Sequence, residues 1–143
     1  MAVDLDHSFT MSGSTDENFA KLTDLEQVIP CVEGGSVLEK AGDDSVKAEI
    51  VVRMGAMSLK FTGTVEITEK DPDLHRAVMT VKSREAGGQG HANADVTFTC
   101  TDGGGTIHTH AQITGKAASM GEGVMVGVLD ALITDFTTKL GQI

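Results

Sequence analysis

The sequence has 143 residues and sets 11 Lys and Arg against 21 Asp and Glu, a formal charge of −10 at pH 7. That balance argues against nucleic acid and against unaided docking on anionic lipid, since both partners are themselves negative. Five Phe with no Trp or Tyr leave almost no surface for stacking on bases or sugars.

The length suits one domain over residues 1–143 with a sizeable core. No window of about 18 residues is free of charge, so no transmembrane span is expected. Asp4 and Asp6 interrupt "MAVDLDHSF" where a signal peptide would run apolar, so the expected compartment is the cytoplasm.

In chain order, "VDLDHSFTM" alternates, with Val3, Leu5, His7, Phe9 and Met11 on one face and Asp4, Asp6, Ser8 and Thr10 on the other. This predicts a half-buried first strand. Ser14 and Glu17 make a capping-box pattern ahead of a short helix carrying Phe19 and Leu22. A second short helix, "DLEQVI", should end at Pro30, whose ring cannot continue the ladder. Strand-like runs follow, separated by turn signals: "SVLEK", "VKAEIVVRM", "MSLKFTGTVEI", "RAVMTVKS", "HANADVTFTC" and "TIHTHAQIT". Their linkers "EKDPDLH", "EAGGQG" and "TDGGG" are hairpin-sized, so neighbours should pair antiparallel.

The final helix is expected to start near Met120, with Ser119 and Glu122 as a second capping-box pattern. Met125, Leu129, Leu132, Ile133, Phe136 and Leu140 form a core stripe at helical spacing, while Met120, Val124, Gly127, Val128 and Ala131 form a second apolar arc. A helix apolar on two sides needs a curved sheet wrapped around it. Gly121, Gly123, Gly127 and Ala131 would leave space opposite Met54, Met57 and Met79, whose thioethers adapt to variable shapes. Two readings stay open at this point: a densely interdigitated core or a ligand-sized apolar cavity.

Other constellations carry less. Cys31 and Cys100 lack any metal-site spacing and read as small buried apolar residues. His108 and His110 share one strand face; if Thr101 pairs with Thr106, they lie opposite Thr99 and Thr97 with Asp95 diagonal. That face should be wet, so no metal site is expected. The glycines of "GGQGH" and "TDGGGT" precede no helix and read as turns. His7 alternates inward, where it would either be a satisfied core histidine or bond a ligand carbonyl.

Taken together, the stretches "LDHSFTM", "VIPCVEGGSVLE", "MGAMSLKFTGTVEITEKD", "GGQGHANADVTFT" and "TGKAASMGEGV", closed by Phe136 and Leu140, resemble the CoxG family of carbon monoxide dehydrogenase subunits, within the START/Bet v 1-like (SRPBCC) superfamily. They cover essentially the whole chain. Cys31 after Pro30 and Ala56 after Gly55 depart from the family, which usually has Gly and often Pro there. The resemblance implies an α+β helix-grip fold: a seven-stranded antiparallel sheet curved around a long C-terminal helix, with two short helices between strands 1 and 2.

It also implies an accessory protein rather than an enzyme, linking a molybdenum CO dehydrogenase to the inner face of the cytoplasmic membrane. The implied non-covalent ligand is a quinone, menaquinone or ubiquinone, or another lipid. Many relatives reach the membrane through a C-terminal tail that is not part of this sequence. On that reading the expected ligand contacts are Met54, Met57, Leu59, Phe61, Met79, Phe98, Met120, Val124 and Val128. Leu25, Val28 and Ile29 would close one end, and His7 would be a polar contact. No catalytic residue is expected. The alternatives are a recruitment module with a filled core and a polyketide-cyclase-like enzyme, for which only His7, Thr109 and Ser83 offer inward polar groups.

Overall fold

A computed structural model describes residues 1–143. The first strand, β1 (Ala2–Thr10), leads into helix α1 (Thr15–Leu22). The capping box is formed: Ser14 Oγ accepts from the Glu17 N–H, and the Glu17 carboxylate accepts from the Ser14 N–H. Helix α2 (Leu25–Val28) is capped by Asp24 and tightens into a 3₁₀ turn, Ile29–Cys31, that contains Pro30. Six strands follow: β2 (Gly35–Gly42), β3 (Ser45–Met54), β4 (Met57–Asp71), β5 (Arg76–Glu85), β6 (His91–Thr101) and β7 (Gly104–Ile113). A 3₁₀ turn at Ala118–Met120 then precedes the long helix α3 (Glu122–Leu140).

All seven strands form one antiparallel sheet in the order β1-β7-β6-β5-β4-β3-β2. Hairpin-sized linkers make each successive pair from β2 to β7 neighbours, and β1 closes on β7 across the chain. This is the arrangement the resemblance implies. Helix α3 lies over the inner face and packs most closely against β1.

Two local expectations fail. Thr101 pairs with Gly104, not Thr106, across a two-residue Asp102–Gly103 turn. Gly103 has φ 79°, a left-handed value that glycine adopts without a Cβ clash. A Cβ on Gly104 would collide with Phe9 O, so glycine also lets β1 approach there. The shifted register puts His110 opposite Asp95 and His108 opposite Thr97.

The second capping box is absent as well. Ser119 Oγ donates to Lys116 O, and the residue before α3 is Gly121 with φ 99° and no side-chain cap. The chain reverses at Gly121 between the 3₁₀ turn and the helix, which removes Ser119 from the α3 terminus.

Apolar burial falls into two clusters. The larger joins α1, α2 and one end of the sheet to the C-terminal half of α3 through Phe19, Leu22, Phe98, Ile107, Phe136 and Leu140, among others. The smaller holds Met54, Leu59, Phe61, Ile113, Ala117 and Met125, with Met57, Met120, Val128 and Leu129 packed against it. Each fully buried large side chain contributes about 1.5–3 kcal/mol, so both ends of the α3–sheet layer are held independently.

Candidate functional site

Between these clusters lies a cavity of about 210 Å³ with walls drawn from both. Its origin is a band of small residues crossing the inner face of the sheet. Ala48, Gly63 and Ser83 stand side by side on β3, β4 and β5, and Ala94 stands beside Ala111 on β6 and β7. Gly63 is also required by the backbone, because a Cβ there would collide with Lys82 O. Leu129, Leu132, Ile133 and Phe136 of α3 form the opposite wall, and Val28, Ile29 and Val32 close one end.

Of the expected ligand contacts, Val28, Ile29, Phe61, Met79 and Phe98 line this cavity. The other seven do not. Leu25 is buried in the larger cluster, away from the wall. Met54, Met57, Leu59, Met120 and Val128 pack in the smaller cluster at the β3–β4 end. Val124 points outward and is 46% exposed.

The physical reason is helix phase. Because α3 leans on β1, the stripe through Leu129, Leu132, Ile133 and Phe136 faces the cavity, and Val124, Gly127 and Ala131 face outward. The core stripe thus forms the cavity wall as well as holding the fold. The helix glycines do not make the space: a Cβ on Gly123 or Gly127 would meet nothing within 4 Å, and both are exposed. The signal missed in the sequence is the run of Ala, Gly and Ser at matching inward positions on β3 to β7.

The wall is chemically quiet. Eighteen of 24 lining residues are hydrophobic, so apolar burial dominates whatever enters. Glu49 is the one ionisable lining residue, and its carboxylate lies 3.8 Å from Lys60 Nζ. Ser83 Oγ donates to Ala92 O, whereas Thr109 Oγ1, buried on the same wall, has no partner. Cys31 and Cys100 are buried free thiols. Burial pushes the Cys100 thiol up to about 11 and raises that of Cys31 too, so neither supplies a ready nucleophile.

His7 does point inward, with its side chain 11% exposed, but it does not reach the cavity wall. Its Nε2–H donates to Asp130 Oδ1 at 2.8 Å, while Nδ1 is buried without a partner. Asp130 is 59% exposed, so the pair sits at the β1–α3 seam. His108 and His110 lie on the outer face and pair with Asp6 and Asp4, each at 2.8 Å. No three His, Cys, Asp or Glu side chains converge on a point where a metal ion would be held.

The family model for the CoxG subunit of carbon monoxide dehydrogenase matches residues 8–142. The chain belongs to that family. No curated protein matches it in sequence. Among solved structures, a conserved protein from Geobacillus kaustophilus is similar at 26% identity and a TM-score of 0.82, over 98% of this chain and 93% of that one. The Zhui aromatase/cyclase of a Streptomyces species is similar at 13% identity and a TM-score of 0.64, over 98% of this chain and 92% of that one. One half of the di-domain aromatase/cyclase StfQ is similar too, at 15% identity and a TM-score of 0.62, over 99% of this chain and 50% of that one. These last two likenesses concern the fold, which is the helix-grip type. The CoxG membership, that fold and an apolar cavity together suggest an accessory protein that binds a hydrophobic ligand, associated with carbon monoxide dehydrogenase.

Proposed function

We propose that this CoxG-family chain carries a neutral isoprenoid quinone between a molybdenum CO dehydrogenase and the inner face of the cytoplasmic membrane, without catalysing bond chemistry itself. The observation that supports this best is the apolar cavity between sheet and α3, with its small-residue floor. At about 210 Å³ it is smaller than the roughly 300–1,000 Å³ of a drug-sized pocket. It therefore suits a quinone ring and the start of its chain, with the remaining isoprene units lying outside or displacing flexible neighbours such as Met57 and Met120. At about 0.8 kcal/mol per buried CH₂, even the first isoprene units bind through area alone.

With a net charge of −10, the chain does not adhere to anionic lipid by electrostatics. On this reading, contact with the membrane comes from the dehydrogenase or from sequence outside these residues. A cyclase-like enzyme needs polar groups converging on substrate. The His7–Asp130 pair lies off the cavity wall and opens to solvent, which favours the carrier.

The test is reconstitution. CO dehydrogenase, CO and quinone-loaded vesicles are combined with and without the chain, and quinone reduction is followed by its absorbance. Carrier function predicts a rate that rises with added chain. Equal rates with and without it would refute the proposal.

A further inference from the structure

One hydroxyl on the cavity wall is left unpaired. Thr109, in the middle of β7, is 5% exposed and lines the cavity, and its Oγ1 makes no hydrogen bond. Native folds rarely keep such a group without a partner. A second unpaired atom belongs to the neighbouring strand β1. In the β1–β7 register His7 stands opposite Ile107 and Leu5 opposite Thr109, so His7 and Thr109 are diagonal neighbours on the inner face. His7 Nε2 lies 2.8 Å from Asp130 Oδ1, and its Nδ1 is buried without a partner. His7 lies off the cavity wall, which leaves Thr109 Oγ1 as the buried, unpaired hydroxyl that lines the chamber.

Charge narrows the ligand further. Glu49 is the one ionisable residue on the wall, so an anionic head group would find no cation and would be buried unpaired.

We infer that Thr109 is the polar anchor of the cavity, and that it takes a neutral ligand bearing a carbonyl or hydroxyl on an apolar body. The inference rests on the carrier reading above and adds the residue that holds the ligand's oxygen. A turn about χ1 exchanges the Thr109 methyl and hydroxyl at the wall. That hydroxyl donates to a carbonyl and accepts from a phenol equally well. The same anchor therefore holds a quinone in its oxidised form and in its reduced form, two electrons and two protons later. No charged group at the anchor favours one form over the other, as carriage in both directions requires.

The test uses the full chain and three probes of one shape: dimethylnaphthoquinone, the matching hydroquinone under anaerobic conditions, and oxygen-free dimethylnaphthalene. Methyl groups beside the carbonyls prevent addition of the free thiols. Thr109→Val is expected to weaken quinone and hydroquinone each by about three- to tenfold and to leave the hydrocarbon within about twofold. Thr109→Ser is expected to restore both oxygenated probes. Thr109→Ala removes the hydroxyl a second way should the Val variant not fold, with the same expected split.

Equal binding of the quinone by Thr109→Val and wild type would overturn the anchor, as would a uniform loss across all three probes. If the wild type binds the hydrocarbon but shows no such split, the anchor alone falls. If it binds none of the three, the carrier reading falls and takes the anchor with it.

Discussion

Filling the cavity from its floor separates a real void from a well-packed core. Ala94 points inward on β6, lines the cavity, and has Val81 and Ala111 as cross-strand neighbours. Ala94→Leu adds three carbons to a space of about 210 Å³. At about 0.8 kcal/mol per buried carbon, the gain is about 2.4 kcal/mol. Ordering a leucine side chain returns about 0.5–1 kcal/mol. A net gain of about 1–2 kcal/mol is expected, a rise of about 3–6 °C in Tm at this chain length.

The same substitution removes room for a ring, so affinity for a naphthoquinone should fall by tenfold or more. Differential scanning calorimetry and a ligand titration on one preparation read both quantities. If the inner face were already close-packed, the added carbons would instead cost about 1–3 kcal/mol. A lowered Tm would mean a close-packed inner face, and a raised Tm with undiminished affinity would mean that the ligand binds elsewhere.

Three further outcomes follow from named residues. Val124→Trp should leave ligand affinity within about twofold of wild type in the same titration, because Val124 is exposed and off the wall. Phe136→Ala should cost about 3–5 kcal/mol in a denaturant melt, since Phe136 is buried, packs on Phe98 with ring centroids 6.3 Å apart, and belongs to the larger cluster. Cys100, pushed up to about 11 from an ordinary 9.0 by burial, keeps its proton in the folded chain where an unfolded thiol loses it. Its contribution to stability is therefore complete below pH 9 and is lost as pH rises toward 11. Mass spectrometry should find its alkylation near pH 8.5 only on unfolding.

Strand alternation made most of the sheet legible, because one buried face imposes a period of two that turn residues then bound. The Ser14–Glu17 box was legible for the same local reason. Where the reading failed, a tertiary fact overrode a local pattern. Ser119 and Glu122 have capping-box spacing, yet the left-handed Gly121 between them turns the chain and cancels it.

Helical phase located two apolar arcs on α3 but not which one faces the sheet, since that depends on how the helix leans toward β1. Val124 and Leu129 thereby exchanged roles. The cavity floor was within reach, because Ala48, Gly63, Ser83, Ala94 and Ala111 all occupy inward positions. It becomes visible only when five strands are aligned in register, which no single strand reveals. The unpaired Thr109 hydroxyl depends on packing and had no local signature beyond an inward threonine.

Carriage requires the cavity to hold a neutral quinone in the cell. Native mass spectrometry of the chain purified from a respiring host, followed by organic extraction, tests it most directly. A bound species with the mass of an isoprenoid quinone or its hydroquinone is expected, depleted in Ala94→Leu. Repeated preparations carrying no quinone, or the same amount in Ala94→Leu as in wild type, would contradict it.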